Sequence, residues 1–485
     1  MLLQVDDLLG NYHKLIMDPV HGGIPVSRFE VALIDHPLFQ RLRFICQNDI
    51  LSLVFPGATH SRFLHSVGAM HVGGRMFMAM VENGLKKRSK EEGSQVDSAL
   101  LEAISYFHRI IRCACLLHDS GHSSFSHQFS RTEAIREILN SSDTFDQLWQ
   151  GVNYQHIYQE KPRHIEHEHY SVRVAQELLK EAESHRGDIE TPDILSLMET
   201  VSIKVSPLFE KHALAIWPLV TGNKPRTPPA DFADKFRCLL SNIVSGELDA
   251  DRADYMLRDG FHSSVTIGGF NLDHLLSNLH FGLCDQTNWV GIAIAEKSLS
   301  SLEDFVYSRH QMYRQVYAHK TAQGFDWLLR AAIEEVMTQN DVSEFVKNSL
   351  SRLALFQHIT DSYFWEAFRR FSMDRTQSYS HCILNRIKMP HLATRSNLSD
   401  EEITTYKTFL AKEHQLEASQ IIATSLTARF TKIRGGYDSM KVLSKTPDGQ
   451  QMFRLIAQTS QFFEKFSDDR ITHFYIDPKP LITRP

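Results

Sequence analysis

Several features that define specialised protein classes are absent from this chain of 485 residues. Its six cysteines include no CxxC pair, and so few thiols in so long a chain argue against a disulfide framework. No apolar run reaches the length of a membrane span, and there is no internal repeat or low-complexity tract. Acidic residues outnumber Lys and Arg by 58 to 52, so the net charge of −6 excludes a generally basic nucleic-acid clamp.

Targeting signals are also missing from the amino-terminal sequence. Residues 1–14 (MLLQVDDLLGNYHK) hold acids where a signal peptide needs bases. We therefore expect a soluble protein of a reducing, cytoplasmic compartment, without a membrane partner. Nucleic-acid binding stays open only as a secondary role of a local basic groove.

The composition, 42% hydrophobic and 23% charged, indicates a globular protein with a large core. Helical periodicity dominates, and strand signals are sparse. The predicted loops are 139–165 and 221–231, and the charged run 85–93 is predicted to be a solvated face or loop. Helices are predicted at 39–45, 61–80, 100–118, 168–183, 235–258, 299–319 and 324–338, and strands at 289–295 and 473–476.

Histidine is abundant, with 26 residues, and its strongest cluster is HDSGH at 118–122 followed by His127. An imidazole beside a carboxylate at a helix end can supply two ligands to one divalent ion. We expect Gly121 to let the backbone turn, so that His122 and His127 face the same cavity. A helix C-cap is the purely structural alternative, which three histidines within ten residues make less attractive.

Two shorter clusters also indicate metal-binding or proton-transfer chemistry, but with a weaker signal. Arg62 and His65 are three residues apart and share a helix face, which suits a phosphate bridging a cation and a metal ligand. A surface Arg and a core His would explain them equally well. In HIEHEH at 164–169, Glu168 can orient His167 for proton transfer, although a polar helix start is the alternative.

Two further segments combine charge with aromatic residues. In residues 247–259, Asp251, Tyr255 and Asp259 lie on one helical stripe, and such dense aspartates repel unless a metal ion or arginines relieve them. Residues 307–320 place cations and tyrosines at helical spacing, which suits a nucleotide. Ordinary ion pairing and a solvated amphipathic helix are the respective alternatives.

In order, His65, His118-Asp119 and Asp251 reproduce the H…HD…D pattern of the HD phosphohydrolase superfamily. The flanking sequences resemble the HD-domain deoxynucleoside triphosphate triphosphohydrolases, including those with a sterile alpha motif and their bacterial relatives, over roughly residues 12–325. The blocks that carry the resemblance are DPVHG at 18–22, DHPLFQRLR at 35–43, FPGATHSRFLHS at 55–66, HDSGHSSFSH at 118–127, DRADY at 251–255 and YAHK at 317–320.

The resemblance implies a mostly α protein. It predicts an HD-domain helical core with an N-terminal regulatory segment over 1–330 and a smaller mixed α/β C-terminal lobe, serving assembly, over 331–485. The implied reaction is attack of water on the α-phosphorus of a deoxynucleoside triphosphate, which releases deoxynucleoside and inorganic triphosphate. A phosphatase or phosphodiesterase acting on another nucleotide, and a nucleotide sensor with weak or no catalysis, remain alternatives.

The resemblance also implies a role for each matching residue. One divalent metal ion (Mn, Fe, Zn, Ni or Mg), with further Mg optionally accompanying the nucleotide, would be bound by His65, His118, Asp119 and Asp251. The catalytic residues would be His122, His127, His167 and Glu168, with His127 protonating the leaving 5′ oxygen. The triphosphate would contact Arg62, Arg252, Arg309 and Lys320, and the sugar would contact Gln47, Tyr255, Asp259 and Tyr317.

A regulatory site and an oligomer are implied as well. GTP or dGTP would bind at a subunit interface of a homo-oligomer, with a tetramer favoured, through Lys14, Asp35, Gln40 and Arg43.

The chain departs from the family pattern at three positions relevant here. Ser130 replaces an acidic residue, Arg252 replaces a lysine, and Asn48 replaces a leucine close to the sugar, which puts discrimination against a 2′-hydroxyl in doubt.

Overall fold

The computed structural model describes residues 12–92, 97–152, 164–198, 203–222, 227–284, 287–428, 430–431, 440–447, 451–465 and 467–479. Most of this chain is helical, which confirms the mostly α fold class. The helices before residue 280 are α1 (Arg28–Asp35), α2 (Pro37–Gln40), α3 (Arg62–Glu92), α4 (Ser98–Leu117), α5 (Ser126–Arg131), α6 (Glu133–Leu139), α7 (Ser142–Leu148), α8 (His167–Glu181), α9 (Glu183–Arg186), α10 (Thr191–Met198), α11 (Pro207–Thr221), α12 (Phe232–Val244), α13 (Ala250–Ser263) and α14 (Leu272–Ser277).

The second part of the chain mixes helices with strands, which confirms the predicted mixed α/β C-terminal region. Its helices are α15 (Leu299–Met312), α16 (Lys320–Met337), α17 (Asn340–Ser351), α18 (Leu353–Phe356), α19 (Asp361–Ser372), α20 (Tyr379–Leu384), α21 (Asp400–Glu413), α22 (Ile456–Thr459) and α23 (Phe462–Lys465). A π-helical turn at Tyr313–Tyr317 follows α15. Short 3₁₀ turns lie at Arg41–Phe44, Leu51–Leu53, Thr266–Gly268, Glu296–Ser298 and Ala418–Gln420.

Nine strands form three small sheets in the described chain. They are β1 (Lys14–Asp18), β2 (Gly22–Val26), β3 (Leu279–Cys284), β4 (Trp289–Ala295), β5 (His391–Ser396), β6 (Ile421–Ala428), β7 (Met440–Lys445), β8 (Gln451–Leu455) and β9 (Asp469–Ile476). The sheet orders are β1-β2, β3-β4-β7-β8 and β5-β9-β6. Strand β4 pairs in parallel with β7, so one sheet joins segments on both sides of residue 330. The domain boundary there stays a prediction.

The helical core is built on α3 and α4, which pack against each other, with α13 against α3. Helix α4 begins where the Asp97 side chain accepts a hydrogen bond from Leu100 N at 2.7 Å. Its apolar residues recur at helical spacing and are buried, so burial of one broad face holds it in the core. The carboxyl end of α4 therefore places His118 and Asp119 at a fixed point beside α3.

The predicted helix at 235–258 is wrong, because the structure divides it into α12 and α13. Ser245 is extended, and the Asp249 carboxylate accepts hydrogen bonds from Gly246 N and Arg252 N, both at 2.7 Å. Asp249 is thus the N-cap of a new helix. This new start places Asp251 in the first turn of α13.

Other boundaries also differ from the predictions. Helix α3 continues beyond residue 80 to Glu92, so of the two forms predicted for the charged run the loop is excluded for residues 85–92. Helix α7 lies inside the predicted loop 139–165 because Phe145 and Leu148 are buried. Residues 153–163 and 223–226 of the two predicted loops lie outside the described residues. Strand β4 coincides with the prediction, and the predicted strand 473–476 lies within β9.

None of the described helices has the length and apolar content needed to cross a bilayer.

Gly121 allows close packing rather than a turn that only glycine can make. The backbone turns at residues 118–121 as expected, but φ of Gly121 is not among the positive values in the described chain, so the turn does not itself require glycine. A Cβ at Gly121 would collide with the backbone of α8 at Ser171 N and His167 O. The missing side chain therefore allows the start of α8 to lie directly on the HD segment.

We expect Gly121→Ala to separate α8 from this segment and to lower the free energy of unfolding by about 1–3 kcal/mol, because backbone atoms cannot give way as a flexible side chain does. Urea denaturation checks the value. Gly269→Ala is the control, since the nearest atom would be 3.9 Å from its Cβ. Equal stability of the two variants would contradict the packing role of Gly121.

Candidate active site

Three predicted metal ligands converge from three helices. His65 lies on α3, His118 ends α4 and Asp251 lies on α13, and one ligand atom from each falls within 4.8 Å of the other two. The Nε2 atoms of His65 and His118 lie 3.1 and 3.6 Å from Asp251 Oδ1. Both Nε2 atoms are buried and have no hydrogen-bond partner in the described chain. This donor set therefore fits a divalent metal ion.

The opposite ring nitrogens explain why these Nε2 atoms are suited to bind a metal. His65 Nδ1 lies 2.8 Å from Asp254 Oδ2, and His118 Nδ1 lies 2.7 Å from Cys115 O. With the proton on Nδ1, each Nε2 keeps its lone pair. Sequence analysis missed Asp254, although it lies three residues after Asp251 on the same helix.

Asp254 is itself fixed by a buried charge network. Arg258 Nε and Nη2 donate to its two oxygens at 2.9 and 2.8 Å, and His21 Nε2 lies 2.7 Å from Oδ1. Arg258 Nη1 also donates to Asp18 Oδ2 at 2.8 Å. These contacts hold the pKa of Asp254 well below its usual range despite the opposing effect of burial, so it remains a carboxylate.

Asp119 lies between the three ligands and a histidine cluster. Its Oδ2 pairs with Arg62 Nη1 and is 3.6 Å from His65 Nε2. Its Oδ1 is 3.5 Å from His118 Nε2 and 3.4 Å from His122 Nε2. Asp119 also forms a second group with His122 and His167 that could hold a metal ion. The structure thus brings all four predicted ligands together.

The predicted catalytic histidines form one compact group. The rings of His122 and His167 stack with centroids 3.9 Å apart, and the ring of His127 lies 5.2 Å from each. Burial lowers the pKa of His127 to about 4, with Arg62 adding to the shift, and lowers the pKa of His167 to about 3. All three imidazoles are therefore neutral near pH 7 in the free cavity. Glu168 Oε2 lies 3.1 Å from His167 Nδ1.

These groups line a cavity of about 440 Å³, which also contains four predicted sugar contacts. Among them, Asp259 Oδ1 lies 2.8 Å from His60 Nε2, and its Oδ2 accepts from the hydroxyl of Tyr317. The predicted residues at the wall are Gln47, Arg62, Asp119, His122, His127, His167, Asp251, Arg252, Tyr255, Asp259 and Tyr317, and the additional ones are Asn48, Asp49, Leu51, Gln128, Arg131, Tyr313, Ala322, Gln323, Asp326 and Leu426.

Two predicted phosphate contacts are not at this wall. Arg309 is buried, and its Nη2 donates to Glu247 Oε1 at 3.0 Å and to Phe430 O at 2.8 Å. Lys320 is exposed and lines a separate cavity together with His391 and Tyr475. Their assignment as triphosphate contacts stays a prediction, although neither residue lines this cavity. Phe430, which follows β6, contacts Arg309, and the hydroxyl of Tyr475 on β9 donates to Lys320 O.

Asp361, which sequence analysis missed, joins two segments of the cavity wall. Its Oδ2 accepts from Cys46 N at 2.8 Å, and its Oδ1 accepts from Phe125 N at 2.8 Å and from Ser124 Oγ at 3.2 Å. Phe125 and Ser126 have φ values of 48° and 47°, and such left-handed residues persist only where surroundings enforce them. Ser126 Oγ then accepts from Arg62 Nε at 2.7 Å.

The four predicted regulatory residues lie near one another on the surface. Lys14 Nζ pairs with Asp35 Oδ2 at 3.1 Å, and Arg43 Nε donates to Gln40 Oε1 at 2.7 Å. Gln40 Nε2 also donates to the backbone of α1 at Ile34 O. The pairs thus occupy the same part of the fold as the β1–β2 hairpin, where Leu15 and Met17 are 54% and 71% exposed.

Comparison with known proteins gives relatives over most of the chain. Deoxynucleoside triphosphate triphosphohydrolase SAMHD1 of Homo sapiens is 26% identical over 390 residues, 78% of this chain and 54% of that protein. The Gallus gallus protein of the same name is 27% identical over 322 residues, 66% of this chain and 45% of that protein. An uncharacterized protein of Methanocaldococcus jannaschii is 26% identical over 378 residues, 77% and 62% of the two chains. No family model matches.

The chain is similar to the HD-domain deoxynucleoside triphosphate triphosphohydrolases. It spans between 45% and 62% of the length of these three relatives. Two solved structures share its fold at 22% identity. A phosphohydrolase from Bacteroides thetaiotaomicron has a TM-score of 0.60 and covers 96% of this chain and 100% of its own, and a hypothetical protein from Aquifex aeolicus has a TM-score of 0.59 with 96% and 97% covered.

We expect Asp254→Asn to weaken divalent metal binding by about 10–100-fold, because the His65 Nδ1 proton loses its carboxylate acceptor. Competition with a fluorescent chelator measures this affinity. Asp273→Asn is the matched control, since that exposed carboxylate pairs with Arg75 and not with a proposed ligand. Circular dichroism shows whether each variant is folded. An unchanged affinity in folded Asp254→Asn would contradict the orienting role.

Proposed function

We propose that the protein is a metal-dependent hydrolase of deoxynucleoside triphosphates that releases deoxynucleoside and inorganic triphosphate. The observation that carries the proposal is the convergence of two imidazole nitrogens, which have no hydrogen-bond partner in the described chain, and two carboxylates beside Arg62 and a cluster of three histidines. The cavity of about 440 Å³ that the two carboxylates, Arg62 and the three histidines line is large enough for a nucleotide. The relatives named as triphosphohydrolases support the same activity.

One divalent metal ion would be held by His65, His118, Asp119 and Asp251. Two imidazoles and two carboxylates suit Mn, Fe, Zn or Ni better than Mg, and this ligand set does not choose among those four. When bound, such an ion lowers the pKa of a coordinated water and stabilises negative charge on phosphoryl oxygens. Asp254 and Cys115 O would keep the two imidazoles oriented for it.

The cations at the cavity wall would bind and orient the polyphosphate. Arg62 is fixed by Asp119 and Ser126, so its guanidinium is already in place before a ligand binds. Arg252 Nη1 pairs with Glu247 Oε2 at 3.2 Å and keeps further donors for phosphate. Both residues suit planar recognition of phosphate oxygens.

His127 would protonate the leaving 5′ oxygen. Its pKa of about 4 in the free cavity results from burial and from the neighbouring positive charge of Arg62 and Arg131. Binding of a polyphosphate would bring several negative charges to these arginines and so raise the pKa of the imidazole toward neutrality. Glu168 would orient His167, which contacts both other rings.

A nucleotide sensor with little catalysis is the second candidate, favoured by one observation. The Ser130 hydroxyl donates to the backbone oxygen of His127 at 3.3 Å, so this position supplies no carboxylate to the imidazole. A phosphatase or phosphodiesterase acting on another nucleotide is distinguished by its products, which would be monophosphate, pyrophosphate or orthophosphate.

We expect metal-loaded protein to release inorganic triphosphate from at least one deoxynucleoside triphosphate, in the presence or absence of GTP. His118→Ala and Asp119→Ala should each lower turnover by about 10³-fold or more and should lose metal, because each removes a ligand. Ion chromatography identifies the product, and elemental analysis gives the metal content. The exposed His274 supplies a control as His274→Ala. Full activity in either ligand variant would exclude this site.

We also propose that GTP or dGTP activates the protein at Lys14, Asp35, Gln40 and Arg43 in a homo-oligomer. The exposed carboxylate of Asp35 can accept from the amino edge of guanine, and Arg43 can donate to its O6 and N7. The exposed Leu15 and Met17 of the adjacent hairpin favour a subunit contact there.

Arg43→Ala is expected to lower activation by GTP at least about tenfold while leaving metal content unchanged, because one charged hydrogen-bond partner of guanine is lost. Turnover measured across a GTP titration checks this. Arg369→Ala removes an exposed arginine of α19 and serves as the control. Unchanged dependence on GTP in Arg43→Ala would exclude the proposed regulatory site.

A further inference from the structure

A buried carboxylate lies behind the cavity wall without a cationic partner. Asp361, in the first turn of α19, is 5% exposed and forms no ion pair in the described chain. Its three hydrogen-bond donors are uncharged, namely Cys46 N, Phe125 N and Ser124 Oγ. Burial raises the pKa of Asp361 to about 6, and these hydrogen bonds oppose the shift, so the group is a carboxylate near pH 7. Burial of a charge without a cation is unfavourable, which indicates a role that a neutral side chain does not fill.

Both carboxylate oxygens of Asp361 are used, and each serves a different segment of the cavity wall. Oδ2 accepts from Cys46 N at 2.8 Å, directly before the wall residue Gln47. Oδ1 accepts from Phe125 N at 2.8 Å, within the segment 122–127, whose two histidines line the cavity. An asparagine offers an acceptor oxygen at only one of the two positions. The carboxylate therefore fixes the two segments relative to each other.

The contact with Phe125 also maintains an unusual backbone conformation. Phe125 and Ser126 have φ values of 48° and 47°, a left-handed region that residues other than glycine, asparagine and aspartate seldom adopt. The Phe125 ring is buried and stacks on Phe368 of α19, with centroids 6.1 Å apart. Helix α19 thus holds this residue through both its backbone and its ring. The result is that Ser126 Oγ accepts a hydrogen bond from Arg62 Nε at 2.7 Å.

Each nitrogen of the Arg62 guanidinium has one partner. Nε donates to Ser126, Nη1 pairs with Asp119, and Nη2 donates to Gln47 O at 3.4 Å. Two of these three partners, Ser126 and Gln47, belong to the segments that Asp361 fixes. Arg62 is 4% exposed, so few contacts with solvent compete with them. The orientation of the guanidinium thus depends on a carboxylate with which it forms no hydrogen bond.

We propose that Asp361 is a positioning residue that orients Arg62 for the triphosphate group of the substrate. This inference rests on the proposed function, in which Arg62 binds the polyphosphate. Without the carboxylate, Arg62 would keep its charge and its place on α3, but its donors would no longer be held in one direction. A guanidinium that has to be ordered on binding loses affinity through its conformational entropy. Asp361 lies beyond residue 325, where the family resemblance ends, so a helix of the C-terminal region completes the site.

The test measures the affinity of the metal-loaded full chain for inorganic triphosphate by calorimetry. Asp361→Asn should weaken this affinity about tenfold, because a hydrogen bond to a charged acceptor is lost and Arg62 is released. Ser126→Gly should weaken it by a similar factor, since glycine adopts the left-handed φ without strain but supplies no hydroxyl. Asp341→Asn makes the same change in the exposed first turn of α17 and should leave the affinity unchanged.

Turnover of a deoxynucleoside triphosphate gives a second readout. Asp361→Asn and Ser126→Gly should each raise KM about tenfold and change kcat less, because Arg62 would contact the triphosphate both before and during the reaction. A lower kcat at unchanged KM would contradict an effect on triphosphate binding.

A double-mutant cycle separates positioning from a general structural role. In protein that already carries Arg62→Gln, Asp361→Asn should weaken triphosphate binding by less than about twofold, because the guanidinium that it orients is gone. An equal factor with and without Arg62 would overturn the proposal. Circular dichroism shows whether each variant is folded. An unchanged affinity in folded Ser126→Gly would overturn the proposal even if Asp361→Asn does not fold.

The outcomes also separate this inference from the proposed function. An effect of Asp361→Asn on triphosphate binding that depends on Arg62, in a protein that turns over no nucleotide, would support the positioning role and reject the hydrolase. Turnover of a deoxynucleoside triphosphate, together with an effect of Asp361→Asn that is independent of Arg62, would reject the positioning role alone.

Discussion

The hydrogen bond between His65 and the buried carboxylate of Asp254 is the contact on which the rest of the site depends. It joins α3 to α13 beside the proposed metal ligands. Arg258 balances the negative charge of the Asp254 carboxylate inside the core. A buried charge without partners would be strongly unfavourable, so the carboxylate, its arginine and the imidazole have to be kept as a set. Gly68 makes room for them, because a Cβ there would collide with both Asp254 and Arg258. The close approach at Gly68 and the orientation of His65 therefore depend on the same two side chains, Asp254 and Arg258.

The cavity combines a cluster of neutral imidazoles with fixed positive charge. Burial keeps His122, His127 and His167 unprotonated, and Arg62 contributes to this for His127. Protonation of these imidazoles beside a fixed arginine is unfavourable, because it would add a second positive charge. The hydrogen-bond donors and the rings nevertheless already hold their positions. Under the proposed function, a bound polyphosphate would bring negative charge beside these rings and would raise the pKa of the imidazoles, so that a proton could be held there.

The four proposed ligands were named through the family resemblance, which rests on short motifs on or beside strongly periodic helices. The structure brings His65, His118, Asp119 and Asp251 together as expected, whereas their roles stay proposals. The break between α12 and α13 was missed because the capping role of Asp249 was hidden within a charged periodic run. Asp361 could not have been found from sequence. Its function depends on contacts with residues more than two hundred positions away, and its own segment carries no motif.

The parallel pairing of β4 with β7 has a consequence for synthesis of the chain. Residues 289–295 find their partner only when residues 440–445 have left the ribosome. Until then one edge of β4 displays unpaired backbone groups, beside a helical core that can already have collapsed. Closure of so long a loop makes this step slow relative to helix formation. The nascent protein thus passes through a stage in which a largely assembled core still has an open strand edge, and a chaperone or a neighbouring chain has its best opportunity to bind there.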